Sequence, residues 1–214
     1  MVRQHVNPLS RLYQQPPPLP PLAELFAPPL ADPARPLHID IGCARGRFLL
    51  DLAQQQPDWN HLGLEIRRPL VAVAEADLQA LQLANLQVLF ANANVSLPGW
   101  LKALPSGRLR RVTIQFPDPW FKKKHHKRRV LQPELLAALS EAMAAGSELF
   151  VQSDVAEVID PMVELIDACG WFSRPARACR CTGCSGSATT SSAAPIIRFH
   201  HQPARECLPT ARRR

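Results

Sequence analysis

Between residues 37 and 169, five short apolar runs alternate with longer stretches of helical periodicity. The runs are LHIDIG (37–42), HLGLEI (61–66), LQVLFA (86–91), LRRVTIQF (109–116) and ELFVQS (148–153). Each has the length and residue types of a buried strand. Residues 45–56 set Phe48, Leu49 and Leu52 at helical spacing, and Pro69 opens a stretch with Leu70, Val73, Ala74, Leu78 and Leu81 on one face. Residues 97–104 predict a weak helix interrupted by Pro98 and Gly99. Pro133 and Glu134 open another, carrying Leu135, Leu136, Leu139 and Met143, which Gly146 can close with a left-handed cap. Residues 154–169 predict the last, broken or kinked at Pro161. Strand–helix alternation of this kind implies parallel strands with right-handed crossovers. The expected class is α/β, with a doubly wound, mostly parallel sheet.

The flanks differ from this core. Residues 1–36 are proline-dominated, and Pro16, Pro17, Pro18, Pro20 and Pro21 predict a polyproline II stretch. It reads as a stiff leader, lying on the domain or loose in solvent, rather than a ligand for a proline-binding module. From residue 174 to 194 Arg, Cys, Ser, Thr, Ala and Gly replace any apolar period. IIRF (196–199) is the only further strand candidate. The organisation expected is a leader (1–36), one catalytic domain (37–173) and an atypical tail of low order (174–214), with the edge of the fifth strand left partly open.

Of the 214 residues 46% are hydrophobic, enough for one sizeable core. A formal charge of +7 and a pI of about 9.5 favour a polyanionic partner. No apolar run approaches the roughly 20 residues that span a bilayer, and the first residues have no signal-peptide core, so a cytoplasmic protein is expected. Cys43 and Cys169 sit in apolar surroundings and read as buried thiols. Cys179, Cys181 and Cys184 with His200 and His201 could be read as a zinc module, but C-x-C-x2-C without a second C-x2-C pair is irregular, and no metal site is expected.

Open α/β sheets bind ligands beyond the carboxyl ends of their strands. The first strand ends in IGCARG, whose Gly42 and Gly46 permit close backbone approach. The spacing is neither the dinucleotide fingerprint nor a P-loop. Glu65 ends the second strand, where a carboxylate suits a ribose diol, and Asn92 follows the third, where an amide suits an adenine edge or simply a turn. Asp40 lies inside the first strand and must be satisfied there, by loop N–H groups or by the amino group of a cofactor tail. Three polar groups at adjacent strand ends predict a nucleoside pocket, and the cofactor class inferred is S-adenosylmethionine. The fourth strand runs into FPDPWFKKKHHKRR (116–129). Pro117 and Pro119 stiffen the turn holding Asp118. Six Lys or Arg fall within the next eight residues after Phe121, a density that suits phosphate contacts. Trp120 and Phe121 either stack on a base or anchor the loop. Asp154 and Glu157 predict a capping box, with a substrate role open to Asp154 as well.

DIGCARGRF, GLEI, FANA, QFPDPWFKKKHHKRR and QSD, in this order, resemble the tRNA (guanine-N7-)-methyltransferase family over residues 37 to about 172. The resemblance implies a class I, Rossmann-like methyltransferase that moves a methyl group from S-adenosylmethionine to N7 of guanine 46 in the tRNA variable loop. It implies cofactor contacts from Asp40, Gly42, Glu65, Asn92 and Asp118, with Asp118 also the active-site acid. Lys122 and Asp154 match its substrate positions. The T-x-x-E element of the family has no counterpart after Asp154, where Thr210 is followed by Ala211, Arg212 and Arg213. A non-catalytic RNA-binding protein keeping this fold is the alternative.

Overall fold

The computed structural model describes residues 6–27, 32, 34–174 and 196–202. Two short helices, α1 (Arg11–Gln14) and α2 (Leu22–Leu25), precede the sheet. Then come β1 (Leu37–Ile41), α3 (Arg47–Gln55), β2 (Asn60–Glu65), α4 (Arg68–Leu81), β3 (Leu86–Phe90), α5 (Ala93–Leu101) and β4 (Leu109–Gln115). A 3-10 turn (Lys123–Arg128) leads to α6 (Pro133–Ala142), β5 (Met143–Gln152), α7 (Ala156–Cys169), β6 (Phe172–Ser173) and β7 (Ile196–His201).

The seven strands lie in the order β3-β2-β1-β4-β5-β7-β6. The first five are parallel neighbours, while β7 pairs antiparallel with both β5 and β6. The five expected strands and their doubly wound arrangement are therefore present. Alternation along each strand splits the core between the two faces. Leu37, Ile39 and Ile41 join Val112, Ile114, Leu97, Leu135, Leu139 and Ile166 on the α5–α6–α7 side. Leu49, Leu50, Ala53, Val71 and Ala74 form the smaller core under α3 and α4. Val73 and Leu81, expected on the buried face of α4, are 41% and 48% exposed, because the helix turns Val71 inward instead.

Three further expectations need correction. Gly146 does not cap α6. The helix stops at Ala142, Met143 turns extended, and Gly146 (φ 78°) lies within β5. Pairing jumps there from Leu109↔Met143 to Arg111↔Glu148, so the glycine serves a bulge. Asp154 does not cap α7. The N-cap position is Val155, whose N–H bonds Ser153 Oγ, and the helix runs on through Pro161. The edge of β5 is not open, because Glu148 to Gln152 pair with His200 to Ile196. Phe199 is fully buried, and His201 stacks on Trp171 and meets Phe172 edge-on. His201 is thus used in packing, while Cys179, Cys181 and Cys184 lie outside the described residues. Among the described residues no helix is long and apolar enough to cross a membrane.

The leader lies on the domain. Leu25 and Phe26 enter the larger core, with Phe26 wholly buried, and Trp100 Nε1 donates to Pro20 O at 2.7 Å.

Candidate active site

The carboxyl ends of β1 to β4 surround a cavity that opens to solvent. The loop after β1 reaches it at Gly42, and in that loop Gly42 (φ 84°), Ala44 (φ 51°) and Gly46 (φ 69°) all take left-handed backbone. The Gly42 and Cys43 N–H groups bond Leu64 O, which ties the loop down onto β2. Gly63 packs closely beneath it, since a Cβ there would come 2.7 Å from Cys43 Sγ and Leu49 Cδ1 and would force those buried side chains to move. At Gly42 an added Cβ would meet nothing within 4 Å, so the backbone faces open space on the cavity side.

Glu65 ends β2 and is 2% exposed. Its Oε2 accepts from Ala44 N, and its Oε1 accepts from Arg67 N and Arg67 Nε, at 2.9, 2.9 and 3.0 Å. Burial opposes the Arg67 charge, but Glu65 and then Asp118 outweigh it and raise its pKa. Arg67 is a site residue that sequence reading missed. Only the turn after β2, which folds the guanidinium back two residues, makes the pair.

Asn92 lies over the end of β3 and caps α5, its Oδ1 accepting from Asn94 N. Its amide Nδ2 donates to Pro8 O at 3.1 Å and Tyr13 O at 3.0 Å. Val6 and Pro8 line the cavity beside it, and Tyr13 packs on Phe90. The leader therefore forms one wall of the site, which its composition does not disclose.

Asp40 is not among the lining side chains but is buried below them, 3% exposed. Its Oδ1 accepts from Thr113 Oγ1 at 2.5 Å. The same hydroxyl meets His38 Nε2 at 2.9 Å, and His38 Nδ1 lies 3.2 Å from His61 Nδ1. With the Thr113 proton given to Asp40, His38 must donate from Nε2 and accept at Nδ1 from His61. Burial pushes Asp40 up to about 6 against the hydrogen bonds from Thr113 and Gln115, with Glu65 adding to the rise. Burial, aided by His61 and Arg111, lowers His38 well below its usual value, and burial takes His61 down to about 4.

Asp118 is half-buried on the cavity wall, in a lining it shares with Gly42, and near Arg67. The turn carrying it is bounded by two residues of positive φ, Phe116 (46°) and Trp120 (42°). Such backbone costs a bulky residue about 1–3 kcal/mol. Trp120 is the anchor of the pair: His125 meets its ring edge-on at 5.8 Å, and the Arg128 guanidinium lies over it at 5.0 Å. Lys122, Lys123, Lys124 and Lys127 are exposed beyond it, on or beside a 3-10 turn held by Gln132 through His126 O and Arg129 O. Asp154 is exposed at the end of β5. Neither Lys122 nor Asp154 lines the cavity, so Gly42, Glu65, Asn92 and Asp118 are brought together while those two stand outside.

A family model described as "Putative methyltransferase" matches residues 34–179. The chain is 62% identical over 174 residues to the tRNA (guanine-N(7)-)-methyltransferase of Prochlorococcus marinus strain MIT 9313, covering 81% of this chain and 72% of that one. It is 56% identical over 173 residues to the protein of that name from Synechococcus elongatus, covering 81% and 79%. Among solved structures it is similar in fold to the aminoglycoside resistance methyltransferase NpmB1, at a TM-score of 0.54, 20% identity and coverage of 80% and 89%. It is similar also to the precorrin-6y C5,15-methyltransferase of Geobacter metallireducens, at a TM-score of 0.52, 15% identity and coverage of 77% and 79%. With its β3-β2-β1-β4-β5-β7-β6 sheet, of Rossmann-like class I methyltransferase type, and a match spanning most of its length, the chain belongs to the tRNA (guanine-N(7)-)-methyltransferase family.

Proposed function

We propose that this chain methylates N7 of the guanine at position 46, in the variable loop of tRNA, with S-adenosylmethionine as donor. The site suits that donor. It supplies a buried carboxylate at the end of β2 for a ribose diol, an amide over β3 for an adenine edge, and a side-chain-free approach at Gly42. Asp40 lies behind the loop, where its charge favours a cationic amino-acid end. The Glu65 oxygens already hold three donors at 3.0 Å or less, and Asn92 holds the leader, so both give up or share bonds when the pocket fills. Bound S-adenosylmethionine supplies an electrophilic sulfonium methyl.

Guanine N7 has an in-plane lone pair and no proton to lose, so the residues position charge rather than abstract a proton. Asp118 carries this reading: a carboxylate on a two-proline turn, in the wall of the cavity beside the glycine loop. It orients the N–H groups of the base and offsets the positive charge that the purine gains. Lys122 and the cations after it hold phosphates outside the cavity, and Asp154 meets the substrate from the β5 side. Such a substrate places the enzyme in the cytoplasm. No observation favours the non-catalytic alternative.

The test is base mapping on tRNA incubated with enzyme and methyl-labelled cofactor, for wild type and Asp118→Asn. Label is expected at N7 of guanine 46, lost when that base is adenine. Asp118→Asn should retain the fold and most tRNA binding while turnover falls at least tenfold. Label at another position would overturn the site of methylation, and wild-type turnover in the variant would overturn the role of Asp118.

A further inference from the structure

We infer that Phe116 is the surface on which the target guanine stacks during methyl transfer. Phe116 and Trp120 are the aromatic side chains lining the cavity, and they stand at the two ends of the Asp118 turn. Trp120 is engaged by His125 and Arg128. Phe116 instead is 54% exposed while lining the cavity.

The backbone adds an independent observation. Phe116 has φ 46°, a conformation that a bulky residue rarely adopts, and it precedes Pro117, which disfavours helical backbone further. Its N–H is bonded to Gln152 O at 2.8 Å, so β5 holds the strained position in place. Strain that turns a large apolar side chain outward serves no purpose in the core. It does place a flat π-face two residues from Asp118, so that one element presents both a stacking surface and an acid. A purine whose edge is oriented by Asp118 needs its plane fixed as well, because N7 attack is in-plane. Base–aromatic stacking supplies that with no preference for the edge of the base, leaving discrimination to the carboxylate. Phe121 is 61% exposed but does not line the cavity, so it is not offered to a base held there.

This inference rests on the tRNA methylation proposed above, and its test keeps the two apart. Wild type must first label tRNA; absence of label would count against that function and not specifically against Phe116. Where wild type is active, Phe116→Leu should lower kcat/KM for tRNA by about 5- to 150-fold, the range expected when one stack is removed. Phe116→Tyr should stay within about threefold, since it keeps the face. S-adenosylhomocysteine affinity should stay within about twofold in both, and thermal melting should not fall, since the ring is exposed. Phe116→Trp gives a direct readout: its added emission should be quenched by tRNA carrying the target guanine and not by tRNA with an abasic residue there. Full activity of Phe116→Leu, or equal quenching by both tRNAs, would overturn the assignment.

Discussion

Asp40 shows how a single residue sets stability against function. Burial places its pKa near 6, above the ordinary 3.8, and only Thr113 and Gln115 restrain the rise. Between those values the folded chain keeps a proton that the unfolded chain has lost, so stability falls as pH rises through the interval. The cost is complete above about pH 6 and amounts to up to about 3 kcal/mol. Asp40→Asn should therefore raise the melting temperature of the ligand-free protein at pH 7.5, with little change at pH 3.5. It should also weaken binding of the cationic cofactor, and wild-type affinity should itself decline below pH 6 as Asp40 takes up its proton. Calorimetry across pH 3.5 to 7.5 checks this, and a variant that melts lower at pH 7.5 would show that the carboxylate stabilises the apo fold. A charged residue inside an apolar strand is visible in sequence; the line of His61, His38 and Thr113 that feeds it is not. Those three come from different strands, and only the parallel register sets Asp40 beside Thr113. Asn92 was legible as a polar strand end, but its leader partners lie 84 and 79 residues away in the chain.

At the scale of elements, periodicity revealed what is local and repeated, and lost what depends on an edge. β1 to β5 and the helices between them follow from apolar runs of the right length. β7 follows only in part: IIRF reads as a strand candidate, and β7 covers it, but its place in the sheet comes from the unpaired edge that β5 offers. The glycine at 146 misleads for a related reason. A left-handed residue suits a helix cap or a bulge equally well, and pairing of Met143 with Leu109 decides for the bulge. The tail is thus not dispensable as a whole. Phe199→Ala should destabilise the fold by about 3–5 kcal/mol, since the ring is fully buried. Removal of residues 196–214 should cost at least as much and promote association through β5. Urea denaturation of both variants checks this, and a loss under 1 kcal/mol in Phe199→Ala would mean that β7 adds little to the sheet.

The molecule as a whole separates two kinds of recognition at one end of one sheet. All five parallel strands deliver their carboxyl ends to the same rim, so the cavity and the basic segment after β4 are neighbours by topology. The cavity sets carboxylates, amides and glycine backbone among apolar and aromatic side chains, which suits a small ligand with polar and apolar parts. Beyond it the exposed side chains of Lys122, Lys123, Lys124 and Lys127 supply a field that suits phosphates. These cations also explain much of the +7 net charge, which has no role in the fold itself. Affinity for tRNA should therefore be strongly salt-dependent, whereas affinity for the cofactor should not. Replacing Lys123, Lys124 and Lys127 together by Ala should flatten the slope of log affinity against log salt by about 0.7–0.9 for each phosphate no longer neutralised. The triple variant should bind S-adenosylhomocysteine as wild type does, because none of the three lines the cavity. It should also recover much of its methylation rate at low salt or high tRNA concentration, since the residues lining the cavity are untouched. Filter binding of tRNA over a salt series measures the slope; one equal to that of wild type would make the lysines a solvated surface and move the tRNA-binding surface elsewhere on the rim.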